Sequence, residues 1–242
     1  MVITVMDTVT GITGNMIINK VCYFLSATRN LYSITGGIFI PTFCPGWTTV
    51  RSMDESVQVI RRLVALGLQH LTCTPHVAYP ALMNGRRDIE SMLMLLKARL
   101  AQEGISLAVD AGAEYRMGEF MLGLLLQDEI IASPGREVLV EHSFVAPSIH
   151  ADEIIFGLLG RGYVPVMAHP ERYAFYAADL VKHCERLKVL GCRIQVNLLS
   201  FAGYYGKEAL AGARKLYCTG LVDYYAGDIH NLRQEMILEK LV

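Results

Sequence analysis

Residues 163–173 read Tyr-Val-Pro-Val-Met-Ala-His-Pro-Glu-Arg-Tyr, and this stretch carries the pattern that decides the fold. Its first six residues form a short, mostly apolar run, which is typical of a strand buried in a parallel sheet. His169 follows directly, so the strand ends in a side chain that can bind a metal ion. A buried strand that ends in a polar group is the unit to look for elsewhere in the chain.

The same unit recurs on both sides of this stretch, with amphipathic helices between the strands. Ser52 and Glu55 form the capping box of a first helix, which Gly67 ends. The further predicted strands cover 71–74, 107–113, 137–140, 193–196 and 221–226, and the further helices cover 88–102, 117–127, 151–161, 178–190 and 207–217. This alternation predicts an α/β fold with a parallel sheet, and 242 residues suit a single barrel.

The composition excludes several classes of protein. The chain has 22 basic and 23 acidic residues and a formal charge of -1, which argues against a nucleic-acid binder held by bulk electrostatics. It has no uncharged apolar run of about 18 residues, so no membrane insertion is expected. Its six cysteines show no C-x-x-C spacing, which favours buried, reduced thiols and a cytoplasmic location.

Six residues with oxygen or nitrogen ligand atoms lie where predicted strands end: His76, Glu114, Glu141, His169, Asp228 and His230. Each alone has a simpler explanation, since a histidine after proline is more often a loop or core residue and a lone glutamate is usually solvated. Together they form a strong joint signal, because strand ends converge on one face of a barrel and sites are built there. Carboxylates and imidazoles without thiolates suit Mn, Fe, Zn or Mg in a hydrolytic site.

Five motifs of the chain resemble those of a known domain. They are Cys73-Thr74-Pro75-His76, Gly112-Ala113-Glu114-Tyr115, Leu139-Val140-Glu141, Met167-Ala168-His169-Pro170-Glu171-Arg172-Tyr173 and Gly227-Asp228-Ile229-His230. In order and spacing they resemble the polymerase-and-histidinol-phosphatase (PHP) domain, and within it the manganese-dependent tyrosine phosphatases of bacterial capsular and exopolysaccharide gene clusters. Gln195–Ser200 and Gly203–Glu208 are similar to the Bacteroidetes branch, and the resemblance covers residues 52–231.

The resemblance implies a distorted (β/α)7 TIM-like barrel, the PHP fold, that binds up to three divalent metal ions, expected to be Mn²⁺. One metal would be held by Glu114 and Asp228 together with a His-x-His pair near the N-terminus. A second would be held by Glu114, Glu141 and His169. All these ligands are oxygen or nitrogen atoms, as the residues themselves suggest.

The resemblance also implies a third metal, held by His76 and His230 with an N-terminal aspartate, and a phosphate contact for the catalytic residue Arg172. The implied reaction is hydrolysis of protein phosphotyrosine, in which metal-activated hydroxide attacks phosphorus in line while the metals and Arg172 stabilise the equatorial oxygens. The implied substrate is a bacterial tyrosine kinase that controls polysaccharide export. Some family members form oligomers, and nothing in this sequence sets the state.

The first fifty residues depart from the pattern of the family. They contain only three charged residues and show neither helical nor strand periodicity. Family members begin the barrel with a string such as Asp-x-His-Ser-His-x-Leu-Pro-Gly-x-Asp-Asp-Gly, whereas residues 37–50 read Gly-Ile-Phe-Ile-Pro-Thr-Phe-Cys-Pro-Gly-Trp-Thr-Thr-Val. Residues 37–50 contain no histidine, Pro41 and Phe43 cannot bind a metal, and Thr48 and Thr49 replace the acidic pair.

A frameshift accounts for this departure. One permitted coding of residues 37–50, read from the third base of its first codon, spells Asp-Ile-His-Ser-His-Phe-Leu-Pro-Gly-Val-Asp-Asp-Gly. We therefore expect residues 1–50 to be an out-of-frame segment with an abnormal first strand, and residues 51–242 to be the PHP phosphatase domain. A shortened C-terminus is also expected, because family members continue for a further helix after the match to His230. The alternative is a genuinely diverged N-terminus.

Two functional alternatives stay open beside the phosphotyrosine phosphatase. With the N-terminal ligands replaced, only the site of Glu114, Glu141 and His169 keeps its full ligand set, so a catalytically impaired PHP protein with fewer metals is one alternative. Another PHP phosphoesterase, such as a histidinol phosphatase, is the other. The Tyr-Tyr-Gly-Lys-Glu stretch at residues 204–208 favours the polysaccharide branch by resemblance alone.

Overall fold

The computed structural model describes residues 52–240. The expectations for residues 1–50, an out-of-frame segment and an abnormal first strand, lie outside this range. Within it, no helix is long and apolar enough to cross a membrane.

The first described helix begins and ends as its sequence predicts. Ser52 caps α1 (Met53–Ala65), and its Oγ accepts a hydrogen bond from Glu55 N at 3.2 Å. One face of α1 is buried through Val57, Val59, Ile60 and Leu63. Gly67 has a φ of +97°, a left-handed conformation in which a side chain would be strained, and the chain turns there into the first strand.

Helices and strands alternate along the rest of the described chain. The helices are α2 (Arg86–Gln102), α3 (Glu119–Leu126), α4 (Ala151–Gly160), α5 (Leu180–Val189), α6 (Leu198–Phe201), α7 (Lys207–Thr219) and α8 (Leu232–Glu239). The strands are β1 (His70–Cys73), β2 (His76–Ala78), β3 (Leu82–Met83), β4 (Ala108–Ala111), β5 (Glu114–Arg116), β6 (Glu137–Glu141), β7 (Val164–Ala168), β8 (Arg193–Asn197) and β9 (Tyr224–Ala226). The α/β alternation is confirmed, while β2, β3, β5, α6 and α8 were not predicted.

The strands form a central sheet of seven and a separate pair. The order in the larger sheet is β3-β2-β5-β6-β7-β8-β9, where only the β2–β3 pair is antiparallel. Strands β1 and β4 form the separate parallel pair. Among residues 52–240 no strand pairing closes the sheet, so the structure shows a mixed α/β fold with a central sheet and not, by itself, the expected barrel.

Two of the predicted ligands lie at the beginning of a strand, which corrects the expectation that they end one. Strand β1 ends at Cys73, Pro75 has no N–H to donate to a strand pairing, and the chain enters the larger sheet at His76. The predicted strand 107–113 is likewise broken after Ala111, and Glu114 begins β5 beside His76. The interruption moves both side chains into the larger sheet, next to the ends of β6 and β7.

Candidate metal centre

Strand register brings His76, Glu114 and Glu141 together. His76 and Glu114 are paired residues of the parallel strands β2 and β5, and Glu141 ends the next strand, β6. The distance from His76 Nδ1 is 3.2 Å to Glu114 Oε2 and 3.7 Å to Glu141 Oε1. The three residues can each offer a ligand atom within 4.8 Å of the other two, which is the separation expected around one shared cation.

His169 approaches the same two carboxylates from the end of β7. Its Nε2 lies 3.1 Å from Glu114 Oε1 and 3.7 Å from Glu141 Oε2. Glu114 therefore faces one histidine with each of its oxygens. The other ring nitrogen, His169 Nδ1, is buried and has no hydrogen-bond partner among the described residues. The φ of His169 is +36°, so a backbone conformation unusual for a non-glycine residue directs this side chain into the site.

Burial and neighbouring charges shift the pKa of both glutamates. Their side chains are only 3% and 2% exposed, respectively. Burial raises the pKa of Glu114, but the charges of His76 and His169 outweigh it and hold the pKa below its usual value. Burial and the charge of Glu114 together raise the pKa of Glu141. Two neighbouring buried carboxylates with imidazoles around them form a donor set that fits a divalent cation.

Asp228 forms a second group on the other side of the site, after β9. Its Oδ2 accepts hydrogen bonds from Arg172 Nη1 at 3.0 Å and from Asn197 Nδ2 at 2.7 Å. His230 Nδ1 lies 3.5 Å from Asp228 Oδ1, and the ring of His230 stacks on that of His76 with 5.9 Å between centroids. Burial raises the pKa of Asp228, but the surrounding histidines and Arg172 lower it to about 2, so this carboxylate stays ionised.

A cavity of ≈ 360 Å³ joins the two groups. All six predicted ligands lie in this one region, and five of them line the cavity: His76, Glu141, His169, Asp228 and His230. Arg172 lines it too, and its guanidinium carbon lies 3.9 Å from the ring centroid of Tyr205. Arg116 adds a second guanidinium, with Nη2 3.4 Å from Glu141 Oε1. Carboxylates, imidazoles and two arginines thus line one cavity, an arrangement suited to a cation with a phosphate bound beside it.

Sequence reasoning missed two residues that hold this arrangement. Asn197 ends β8 and links Asp228 to the sheet, and a signal was present because a polar residue ends β8 as it ends β6. Glu171 is buried, and its Oε1 accepts hydrogen bonds from Asn197 N at 3.0 Å and Ser200 Oγ at 2.7 Å. No pattern in the sequence separates Glu171 from an exposed acid, because its role depends on contacts with a strand 26 residues away.

Comparisons with known proteins are consistent with this geometry. Residues 48–236 match the family described as "Capsular polysaccharide synthesis, CpsB/CapC". The chain is 29% identical over 182 residues to tyrosine-protein phosphatase YwqE of Bacillus subtilis (strain 168), which covers 74% of this chain and 70% of that protein. It is 21% identical over 191 residues to the putative tyrosine-protein phosphatase CapC of Staphylococcus aureus, covering 78% of this chain and 74% of the relative.

A solved structure is also similar to this chain. It comes from work on YwqE of Bacillus subtilis and CpsB of Streptococcus pneumoniae, described as unique metal-dependent tyrosine phosphatases. The TM-score is 0.73 at 25% sequence identity, and the match covers 86% of this chain and 85% of the other.

Proposed function

Because the chain belongs to the CpsB/CapC family of capsular polysaccharide synthesis, we propose that it is a metal-dependent phosphotyrosine-protein phosphatase. The observation that carries the proposal is the close group of two buried carboxylates and two imidazoles, with Arg172 lining the same cavity. A cysteine phosphatase needs a reactive thiol, whereas no cysteine lines this cavity within the described residues. The reaction is hydrolysis of the phosphate ester of a tyrosine side chain.

Manganese is the proposed metal. Glu114, Glu141 and His169 would hold one ion, Glu114 and Asp228 would contribute to a second, and His76 and His230 to a third. His76 Nδ1 also lies within 3.7 Å of both glutamates, so it can join the first ion. The donor set is made of oxygen and nitrogen atoms, which Mn²⁺ accepts readily. When bound, the metal supplies Lewis-acid chemistry, polarising phosphoryl oxygens and lowering the pKa of water. The closely spaced glutamates and the imidazole nitrogens that face them support this assignment.

The residues of the chain bind and orient the phosphate. Arg172 offers a planar pair of donors to two phosphate oxygens, a geometry that suits the equatorial oxygens of the transition state. Asp228 accepts a hydrogen bond from Arg172, and Tyr205 lies against the guanidinium. The orientation of the Arg172 guanidinium is therefore set before a substrate arrives. Asn197 in turn fixes Asp228.

We also propose that the sheet belongs to a distorted (β/α)7 barrel of the PHP type. Five successive parallel pairings, with helices between most of the strands, support this proposal. So does the position of Glu141, His169 and Asp228 at or just after the carboxyl ends of β6, β7 and β9, since barrel enzymes carry their sites at such ends.

The proposed substrate is a tyrosine kinase of bacterial polysaccharide export, and the proposed location is the cytoplasm. The description of the family and the names of the relatives support the link to capsule synthesis. The buried thiols of Cys73, Cys184 and Cys192 are compatible with a reducing compartment.

The second candidate, a catalytically impaired protein, depends on residues 1–50. We propose that this segment is out of frame, which removes the His-x-His pair and one aspartate from the metal ligands. Restoring the reading frame across residues 37–50, which brings back the His-x-His pair and the aspartates of the motif, would then raise activity. Genomic sequence across codons 36–52 that does not spell the motif in the shifted frame would contradict the frameshift.

The test is hydrolysis of a phosphotyrosine peptide with Mn²⁺ by this chain, the frame-restored chain and two variants. We expect weak Mn²⁺-dependent activity in this chain and higher activity after restoration. Glu141→Gln and Arg172→Lys should each lower kcat/KM about 100-fold in the restored chain, since each removes a metal ligand or a bidentate phosphate contact. Glu119→Gln, an exposed acid, is the matched control. Equal activity of the two chains excludes the impaired form, and inactivity of both refutes the phosphatase.

A further inference from the structure

The ring of Phe144 contacts both His169, which faces the two buried glutamates, and Arg172, which binds Asp228. It stacks on the imidazole of His169, with 5.6 Å between centroids and 14° between ring planes. The guanidinium carbon of Arg172 lies 4.8 Å from the centroid of the same ring. Phe144 also lines the cavity that holds the proposed metal ligands. A phosphate held by Arg172 above the metal ligands would therefore lie next to this ring.

Phe144 differs from the other aromatic residues around Arg172 in being open to solvent. Its exposed fraction is 46%, which is unusual for a phenylalanine beside a polar site. The ring of Tyr205 lies closer to the guanidinium, at 3.9 Å, and its hydroxyl is buried. Tyr205 is thus committed to Arg172, whereas Phe144 keeps ring surface that a ligand can cover.

The loop that carries Phe144 is held from both sides. His142 N donates to Tyr173 Oη at 3.0 Å, and Ser148 N donates to His142 Nδ1 at 3.2 Å. His142 Nε2 and Tyr176 Oη are 2.7 Å apart. An exposed ring on an anchored loop is a preorganised contact, because little conformational entropy remains to be lost when a ligand covers it.

We propose that Phe144 forms an aryl subsite, which packs against the phenyl ring of a phosphotyrosine whose phosphate is bound by Arg172. The inference rests on the proposed function and adds to it the residue that selects aryl over alkyl phosphates. In an aryl phosphate the ring is attached directly to the ester oxygen, so it lies one bond from the bound phosphate. An alkyl phosphate such as phosphoserine places a single methylene there and offers no ring surface to Phe144.

Ring–ring contacts contribute about 0.5–1.5 kcal/mol beyond the burial of area, which corresponds to roughly a 2- to 12-fold change in affinity. Phe144 could instead serve only to hold Arg172 and His169 in place. In that case its loss would weaken the binding of every phosphate equally, with or without a ring. Comparing a ligand that has a ring with one that lacks it separates the two roles.

The test measures dissociation constants of benzylphosphonate and ethylphosphonate by calorimetry, in the presence of Mn²⁺, for the full chain and three variants. In both ligands a methylene replaces the ester oxygen, so the ring of benzylphosphonate has the same spacing from phosphorus as the ring of phosphotyrosine. Neither ligand can be hydrolysed, so the result does not depend on turnover. Phe144→Leu keeps apolar bulk and removes the ring, Phe144→Tyr keeps the ring, and Val145→Ala is a control at a neighbour that is 90% exposed.

We expect the unaltered chain to prefer benzylphosphonate and Phe144→Leu to lose about tenfold of that preference. The affinity of Phe144→Leu for ethylphosphonate should change less than twofold, and Phe144→Tyr and Val145→Ala should behave as the unaltered chain. An equal loss for both ligands, an unchanged preference, or binding of neither ligand by the unaltered chain overturns the subsite. Aryl preference without hydrolysis of phosphotyrosine would leave the subsite standing and refute the phosphatase.

Discussion

Gly112 lies where two segments of backbone approach too closely to leave room for a side chain. A Cβ at this position would lie 2.1 Å from Ser133 Oγ and 2.9 Å from Ser133 N. Neither segment can retreat freely, because Gly112 N donates to Cys73 O at 2.9 Å and Ser133 N donates to Glu137 O at 2.8 Å. Gly112→Ala must therefore displace backbone that holds β1, β4 and the start of β6.

The cost of this substitution follows from the contacts. Overpacking costs about 1–3 kcal/mol, and weakening one of the two backbone hydrogen bonds adds about 1 kcal/mol. A domain of this size loses roughly 2–4 °C of Tm per kcal/mol, so we expect Gly112→Ala to lower Tm by about 10 °C. Glu114 lies two residues further on, so the rise in Tm that Mn²⁺ produces should also shrink.

The assay is thermal unfolding followed by circular dichroism, with and without Mn²⁺, and it has two controls. Gly123→Ala in α3 places a Cβ with no atom within 4 Å and should raise stability by about 0.5–1 kcal/mol. Ser133→Ala removes the Oγ of the closest contact, so adding it to Gly112→Ala should recover part of the loss. A Tm for Gly112→Ala within 2 °C of the unaltered chain, or no recovery in the double variant, would refute the steric explanation.

Three further outcomes are expected from the same structure. Glu171→Ala leaves Asn197 N and Ser200 Oγ without their acceptor, so it should lower the free energy of unfolding, measured with a chemical denaturant, by about 2–5 kcal/mol. Glu171→Gln keeps an acceptor and should lower it by about 1 kcal/mol, and equal losses in the two variants would contradict this role. Mn²⁺ at 100 times its dissociation constant should raise the free energy of unfolding by about 2.7 kcal/mol, and EDTA should reverse this effect. Glu141→Gln should abolish it, and stabilisation by Mn²⁺ that survives Glu141→Gln would place the metal elsewhere. Cys218 is exposed and should react with a thiol reagent at pH 8 in the folded protein, as mapped by mass spectrometry. Burial raises the pKa of the thiols of Cys73, Cys184 and Cys192 to about 12, which should protect them until the protein unfolds. Labelling of these three thiols in the folded protein would show that the core is open.

The sequence predicts which residues form the site better than it predicts the bounds of the strands that carry them. All six predicted ligands lie in one region, because residue type and position at strand ends are visible in a sequence. The assignment of His76 and Glu114 to strand ends was wrong, since pairing between distant strands decides where β1 and β4 stop. Local propensity carries no information on that pairing.

The residues that support the site were harder to predict than the ligands. Glu171 acts through a strand and a helix that lie 26 and 29 residues further along the chain. Phe144 follows a predicted ligand by three residues, but only its contacts with His169 and Arg172 distinguish it from an ordinary loop residue. Such contacts depend on the folded arrangement of several elements, which neither periodicity nor capping signals describe.

The left-handed backbone of His169 has a counterpart at Asp228, whose φ is +48°. Each residue follows a strand of the same sheet, and each is a proposed metal ligand. Anyone who wished to graft this centre onto another parallel sheet would need to copy two left-handed backbone conformations as well as a set of side chains. Glycine would adopt both conformations most easily, yet it would remove a proposed ligand each time, so the recipient scaffold must offset the strain energy through its own packing.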